Sequence, residues 1–136
     1  MRKNIGLYRG KRTDGEGWVY GYLSTKTICV PGNVHFGYII QKPSAGLYQN
    51  EWFEVDKDTL GEYISASDKN GKGIFEGDIV KYGNGLASEI YQVVYNEKWM
   101  RFAFTKPNTV FAVFNMSKCE VIGNIFDNAE LLKERN

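Results

Sequence analysis

The sequence predicts a mostly β protein, and three observations carry that prediction. Aromatic residues make up 15% of the chain, glycine occurs fifteen times and proline three, so β-favouring side chains alternate with residues that permit turns. Short alternating or β-branched runs recur along the whole length, separated by clusters of Gly, Asn, Asp and Ser. Only one segment, near the C-terminal end, has helical character.

In chain order, Met1 to Arg12 carries Arg2, Lys3, Arg9, Lys11 and Arg12 without an acid, around Ile5, Leu7 and Tyr8. It reads as a first strand with basic edges. A glycine-rich turn from Asp14 to Gly17 leads into Trp18 to Leu23, where Trp18, Tyr20 and Tyr22 alternate with Val19, Gly21 and Leu23. Ile28 to Val30 and Phe36 to Gln41 are expected as separate short strands around the turn Pro31-Gly32-Asn33, and Trp52 to Val55 as another. Between Glu51 and Glu62 the acids Glu51, Glu54, Asp56, Asp58 and Glu62 face a single Lys57. This acidic stretch can meet the basic start, in space or across subunits.

The run from Ser67 to Gly73, SDKNGKG, is the clearest punctuation and divides the chain into residues 1–66 and 67–136, expected to pack as one unit. After it, Asp78 to Tyr82, Glu89 to Tyr95, Trp99 to Thr105, Val110 to Phe114 and Cys119 to Phe126 read as five short strands, a pattern that suits a small barrel. Met100, Phe102 and Phe104 would share its core-facing side. Asp127 or Asn128 can cap a closing short helix through Ala129, Leu131 and Leu132, with Lys133 and Arg135 near its end.

At 136 residues, with 43% hydrophobic and 24% charged residues, the chain can bury a core and falls outside the disordered class. Seventeen Lys plus Arg against sixteen Asp plus Glu leave a net charge of +1, so attraction to nucleic acid or an anionic membrane has to be local. Cys29 and Cys119 are expected as free buried thiols. With no apolar leader and no run of about eighteen apolar residues, a cytoplasmic location and no membrane partner are expected, and the acceptor pattern Asn115-Met116-Ser117 is read as chance.

Chemistry-bearing patterns are sparse. His35 is the sole histidine, no nucleophile-elbow motif occurs, and the pairs Gly15/Gly17, Gly71/Gly73 and Gly83/Gly85 extend into no phosphate-binding fingerprint. Asp68 and Asn70 resemble the start of a calcium loop, but its fifth position is Lys72 and its twelfth Ile79, so a tight turn is expected. Glu76 and Asp78 flank Gly77 and are expected to form a turn or cap a strand, with metal-assisted catalysis as the alternative. No catalytic residue, metal site or cofactor is therefore expected. A binding groove is expected from Lys81, Tyr82, Tyr95, Trp99 and Arg101, because cations beside stacking aromatics are what a single strand or a peptide needs.

Three stretches, GWVYGYL with Trp18, Tyr20 and Gly21, then VDKDTLGEYISASDKNGKGIFEGDIVKY, then CEVIGNIFDNAELL, resemble the YopX-like family of temperate phages and prophages of Gram-positive bacteria. The resemblance spans about residues 17 to 133 and is most specific in its middle stretch. GLYRGKR and Ser65-Ala66-Ser67 depart from the family pattern. The resemblance implies a phage-derived cytosolic protein whose second half is an SH3-like barrel, and it brings no catalytic residues. The expected function is a non-enzymatic interaction module, homo-oligomeric, contacting host or phage protein or nucleic acid. The alternatives are the metal-assisted enzyme and a purely structural homo-oligomeric scaffold held by sheet edges.

Overall fold

The computed structural model of the chain describes residues 7–42, 51–112 and 115–133. Among these residues the secondary structure is eleven strands and four short 3₁₀ turns, in two units, Met1–Tyr63 and Ile64–Asn136. The part of the basic arm before Leu7, and the last two residues of the strand expected to end at Phe114, lie outside the described residues.

The first unit is built on β1 (Leu7–Lys11), β2 (Trp18–Val30), β3 (Asn33–Gln41) and β4 (Trp52–Val55), antiparallel in the order β4-β3-β2-β1. β5 (Gly61–Ser67) pairs with β1 at Gly61 and Glu62 and continues into the second unit. The runs expected as two strands at 18–23 and 28–30 are one strand of 13 residues. Polar Ser24 to Thr27 were read as a gap, yet each is paired with β3, since β-branched Thr25 and Thr27 suit a solvated hairpin as well as a core. The hairpin turns at Pro31-Gly32, where proline presets the first φ and Gly32 takes φ 77°.

Val19, Ile40 and Val55 form the buried core of this unit, with Tyr8, Leu23, Phe53 and Leu60 packed on them. The sheet curls over that core until the end of β1 returns to β4. Arg12 bridges Val55, the Thr13 amide donates to the Glu54 carbonyl at 3.1 Å, and the Asp56 amide donates to the Lys11 carbonyl at 2.8 Å. Basic β1 and the acidic stretch therefore meet within this unit. Gly21 permits the curl, because a Cβ there would lie 2.1 Å from the Gln41 carbonyl oxygen.

In the second unit β6 (Gly73–Phe75) flanks β5, and the intervening Lys69-Asn70-Gly71 closes a hairpin with Gly71 at φ 83°. Asp68 ties this turn down: its Oδ1 accepts the Asn70 and Lys72 amides and its Oδ2 the Val121 amide, each at 2.9 Å. Burial alone would push its carboxyl up, but the three amides and Lys72 outweigh that and hold it below the usual aspartate value.

Strands β7 (Asp78–Tyr82), β8 (Glu89–Asn96), β9 (Arg101–Lys106), β10 (Thr109–Phe111) and β11 (Cys119–Asn124) form an antiparallel sheet in the order β10-β9-β8-β7-β11. The edge strands β10 and β11 are not joined, so no closed barrel is found among the described residues, and the SH3-like barrel expected above is corrected to an open sheet. Closure needs edge strands long enough to share a ladder, and β10 has three residues. Ile74, Val80, Tyr91, Val93, Phe104 and Cys119 make the core, with Tyr91 and Phe111 edge to face at 4.8 Å.

Three further expectations change. β9 begins two residues later than expected, and Met100, at φ 53° in the preceding turn, is 78% exposed instead of lying in the core beside Phe104. Cys29 is exposed on the solvated hairpin, whereas Cys119 is buried. The C-terminal helix shrinks to a 3₁₀ turn at Ala129–Leu132, because the Asn128 side chain accepts the Asn124 amide at 3.2 Å and so braces the preceding strand instead of capping. Among the described residues no helix is long and apolar enough to cross a membrane.

Candidate functional site

The five residues expected to form a groove are distributed over the second sheet. Strand alternation and register place Tyr82 and Tyr95 on its core-facing side and Lys81 and Arg101 on the other. Tyr82 packs against Phe104 and Phe111, and Tyr95 lies edge to face with Phe102 at 5.3 Å. Lys81 stands opposite Ile90 and Arg101 opposite Asn96, so the two cations are about 20 Å apart along the strands. Trp99, 47% exposed, sits in the β8–β9 turn, where its amide donates to Asn96 Oδ1. The sheet brings Tyr95 and Phe102 together and does not unite the five.

Asp78 and Glu76 are similarly resolved by the turn they share. Asp78 is 1% exposed, and its Oδ2 accepts the Phe75 amide at 2.8 Å across Glu76-Gly77, the turn-forming geometry expected from the sequence. Among the described residues no group of three or more His, Cys, Asp or Glu side chains is placed to hold a metal ion.

A denser arrangement lies on the outer face of the first sheet. Because Val19, Gly21 and Leu23 turn inward, Trp18, Tyr20, Tyr22 and Lys26 turn outward. The register sets Lys11 opposite Trp18, Arg9 opposite Tyr20, and a cross-strand row of Leu7, Tyr22, Gln41 and Trp52. Tyr20, Tyr22 and Trp52 are 45%, 51% and 40% exposed. Cations lie over the indoles: Lys26 Nζ is 4.0 Å from the Trp52 ring centre, and Arg9 Cζ is 4.9 Å from that of Trp18. At the Trp18 end a recess of about 190 Å³ is lined by Arg12, Trp18, Val19, Tyr20, Lys42 and Phe53. Arg12 stacks on Phe53 at 4.2 Å and pairs with Asp14 at 2.5 Å, which holds the Asp14 carboxyl below its ordinary value.

A wider cleft, about 800 Å³, lies in the same unit, where β1 returns to β4, and is lined by Lys11, Arg12, Phe36, Tyr38, Glu54 and Asp56 among others. On its wall Glu54 Oε2 is 2.8 Å from His35 Nε2. Glu54 reaches His35 over Gly37, where a Cβ would stand 2.8 Å from that carboxylate oxygen. A carboxylate-oriented imidazole can act as a base only through its other nitrogen, and Nδ1 is buried, with no hydrogen-bond partner among the described residues. The pair is built to fix the sheet.

In the sequence Trp18, Tyr20 and Tyr22 alternate with Val19, Gly21 and Leu23, a pattern apolar on both sides that does not by itself say which set faces outward. The signal for the outward face was Gly21, since a strand glycine in that frame marks the side where another backbone comes close. Arg9 and Lys11, two residues apart, carried the matching period.

The model of the YopX family, described as YopX protein, matches residues 7–133. The chain belongs to the YopX family. The match takes in both units, the outward aromatic face of β2 and the Asp68 turn included. The crystal structure of protein EF1440 from Enterococcus faecalis is similar to this YopX-family chain at a TM-score of 0.50 and 22% identity, covering 93% of this chain and 96% of that one, which shows a likeness of fold. No curated protein matches the chain.

Proposed function

We propose that this YopX-family chain is a non-enzymatic, phage- or prophage-encoded interaction module of the host cytoplasm, and that the outer face of its first unit binds single-stranded nucleic acid. The observation that carries this is the exposed row Tyr20, Tyr22 and Trp52, framed by Lys11 and Lys26, with the buried Arg9 stacked on Trp18 behind it. Bases stack on aromatic planes without regard to sequence, at about 1–3 kcal/mol per base, while cations follow the phosphates. The near-neutral net charge leaves this local patch to supply the attraction.

Fluorescence anisotropy with a labelled single strand and its duplex, at two salt concentrations, tests the reading. Wild type favours the single strand, and Tyr22→Ala with Trp52→Ala weakens it at least tenfold, whereas Tyr22→Phe does not. Equal binding of strand and duplex, or indifference to the double substitution, sinks it.

A second reading rests on the far end of the β2–β3 hairpin, where Val34 and Phe36 are 69% and 68% exposed and Val30 is 45% exposed. Such a strip supports self-association or a protein partner. Light scattering tests it: a dimer that Phe36→Glu converts to monomer upholds the reading, and a monomeric wild type removes self-association.

A further inference from the structure

The second unit carries a small polar recess of about 170 Å³ whose walls hold Lys69, Lys81 and Lys118 against one carboxylate, Glu120. Three cations minus one anion leave a local charge of +2. The convergence follows from the fold. Lys81 and Glu120 are cross-strand partners on β7 and β11, on the face away from the core. Lys69 is carried in by the Asp68 turn, where its amide donates to the Cys119 carbonyl at 2.9 Å, and its Nζ lies 4.0 Å from Glu120. Lys118 is drawn in by the Gly83 amide, which donates to its carbonyl at 3.1 Å. Asp68, the next carboxylate along the chain, spends both oxygens on three backbone amides.

Among the described residues Lys81 and Lys118 have no ion-pair partner within 4.0 Å. The floor is the turn Gly83-Asn84-Gly85, with φ of 128° and 51° at its glycines, closed by Ser88, whose hydroxyl donates to the Gly85 carbonyl. A Cβ at Gly83 would come within 2.8 Å of Ser88 Cα, whereas the space beside Gly85 is open. Three lysines held around a single carboxylate raise the energy of the empty site, and a multiply charged oxyanion lowers it. The recess is far below the roughly 300–1,000 Å³ of pockets for drug-sized ligands, so it suits a headgroup and not a whole cofactor.

From this geometry we infer a phosphate-binding site formed by Lys69, Lys81 and Lys118 over the Gly83–Gly85 turn. Its ligand is a phosphate group, carried either by a nucleic-acid backbone or by a free phosphate or small phosphate ester. It is independent of the aromatic face, and either can fail without the other.

The test is an amide NMR titration of the isotopically labelled full chain with sodium phosphate, against sodium chloride at equal ionic strength, with a single-stranded oligonucleotide as a second arm. Phosphate is expected to move the Gly83, Gly85 and Ser88 amides saturably. Lys81→Gln with Lys118→Gln should weaken this at least tenfold, while Lys81→Arg with Lys118→Arg retains it. All three lysines are on the surface, and the spectra themselves report that the variants are folded. An oligonucleotide that moves the same amides and competes with phosphate identifies the backbone as the source. Response to inorganic phosphate alone identifies a small phosphate. A linear, non-saturating response in wild type, or equal responses in wild type and the double Gln variant, overturns the site.

Discussion

Removing the carboxylate of Asp68 is the sharpest test of how the second unit is held together. In Asp68→Ala three backbone amides lose their acceptor at once. Asn70 and Lys72 are exposed, so their amides regain water, and what they lose is the preorganised turn, about 1 kcal/mol. The Val121 amide sits on β11 two residues from buried Cys119, and an unsatisfied amide there costs about 2 kcal/mol. The sum, about 3 kcal/mol, corresponds to a fall in Tm of roughly 10 °C for a chain of this length. The effect also depends on pH. Because the folded-state pKa of Asp68 is depressed from 3.8, its contribution is present in full above about pH 5 and is lost as pH falls through the folded value. Urea unfolding at a series of pH values, followed by circular dichroism, should show a gap between wild type and variant of about 3 kcal/mol at pH 7 that narrows steadily toward pH 2.5. A gap below about 1 kcal/mol at pH 7, or one that stays constant with pH, would refute this account of the turn.

Other outcomes follow from single contacts. Gly21→Ala drives a Cβ into the Gln41 carbonyl and should cost about 3 kcal/mol or prevent folding, read by thermal melting; a neutral result would mean that β2 and β3 do not approach as described. Under native conditions one cysteine should react with iodoacetamide, namely exposed Cys29, because burial, with Asp68 and Asp78 nearby, pushes the Cys119 thiol up to about 12; mass spectrometry showing Cys119 labelled first would contradict the buried assignment. Phe104→Ala should cost about 3–4 kcal/mol, since the ring is 2% exposed and meets Tyr82, Tyr91 and Phe111, and denaturant titration reads it directly.

Much of the fold was legible because strand signals in the second half are short, clean and bounded by turns: β7 spans Asp78–Tyr82 as read, and β8, β10 and β11 start within a residue of the expected positions. Where two principles competed, periodicity alone misled. Polar Ser24 to Thr27 looked like a gap because hydrophobic alternation lapses there, although strand pairing persists in a solvated hairpin. β5 and β6 went unread, hidden beside the strong turn chemistry of SDKNGKG, and β5 also holds Ser65 at φ 67°, a conformation no propensity announces. The candidate site was the least legible part. Lys81, Tyr82, Tyr95, Trp99 and Arg101 are neighbours in composition, but a period of two sends adjacent strand residues to opposite faces, and register decides the rest. Trp52 joins Trp18, Tyr20 and Tyr22 of β2 only through the pairing of β2, β3 and β4.

Photocrosslinking locates the bases most directly. Wild-type protein irradiated with a bromouridine-substituted single strand, then digested and mapped by mass spectrometry, should carry its adducts on Tyr20, Tyr22 and Trp52. Adducts confined to Trp99 and Tyr95, or no adducts at strand concentrations that saturate binding, would contradict a stacking platform on the first sheet.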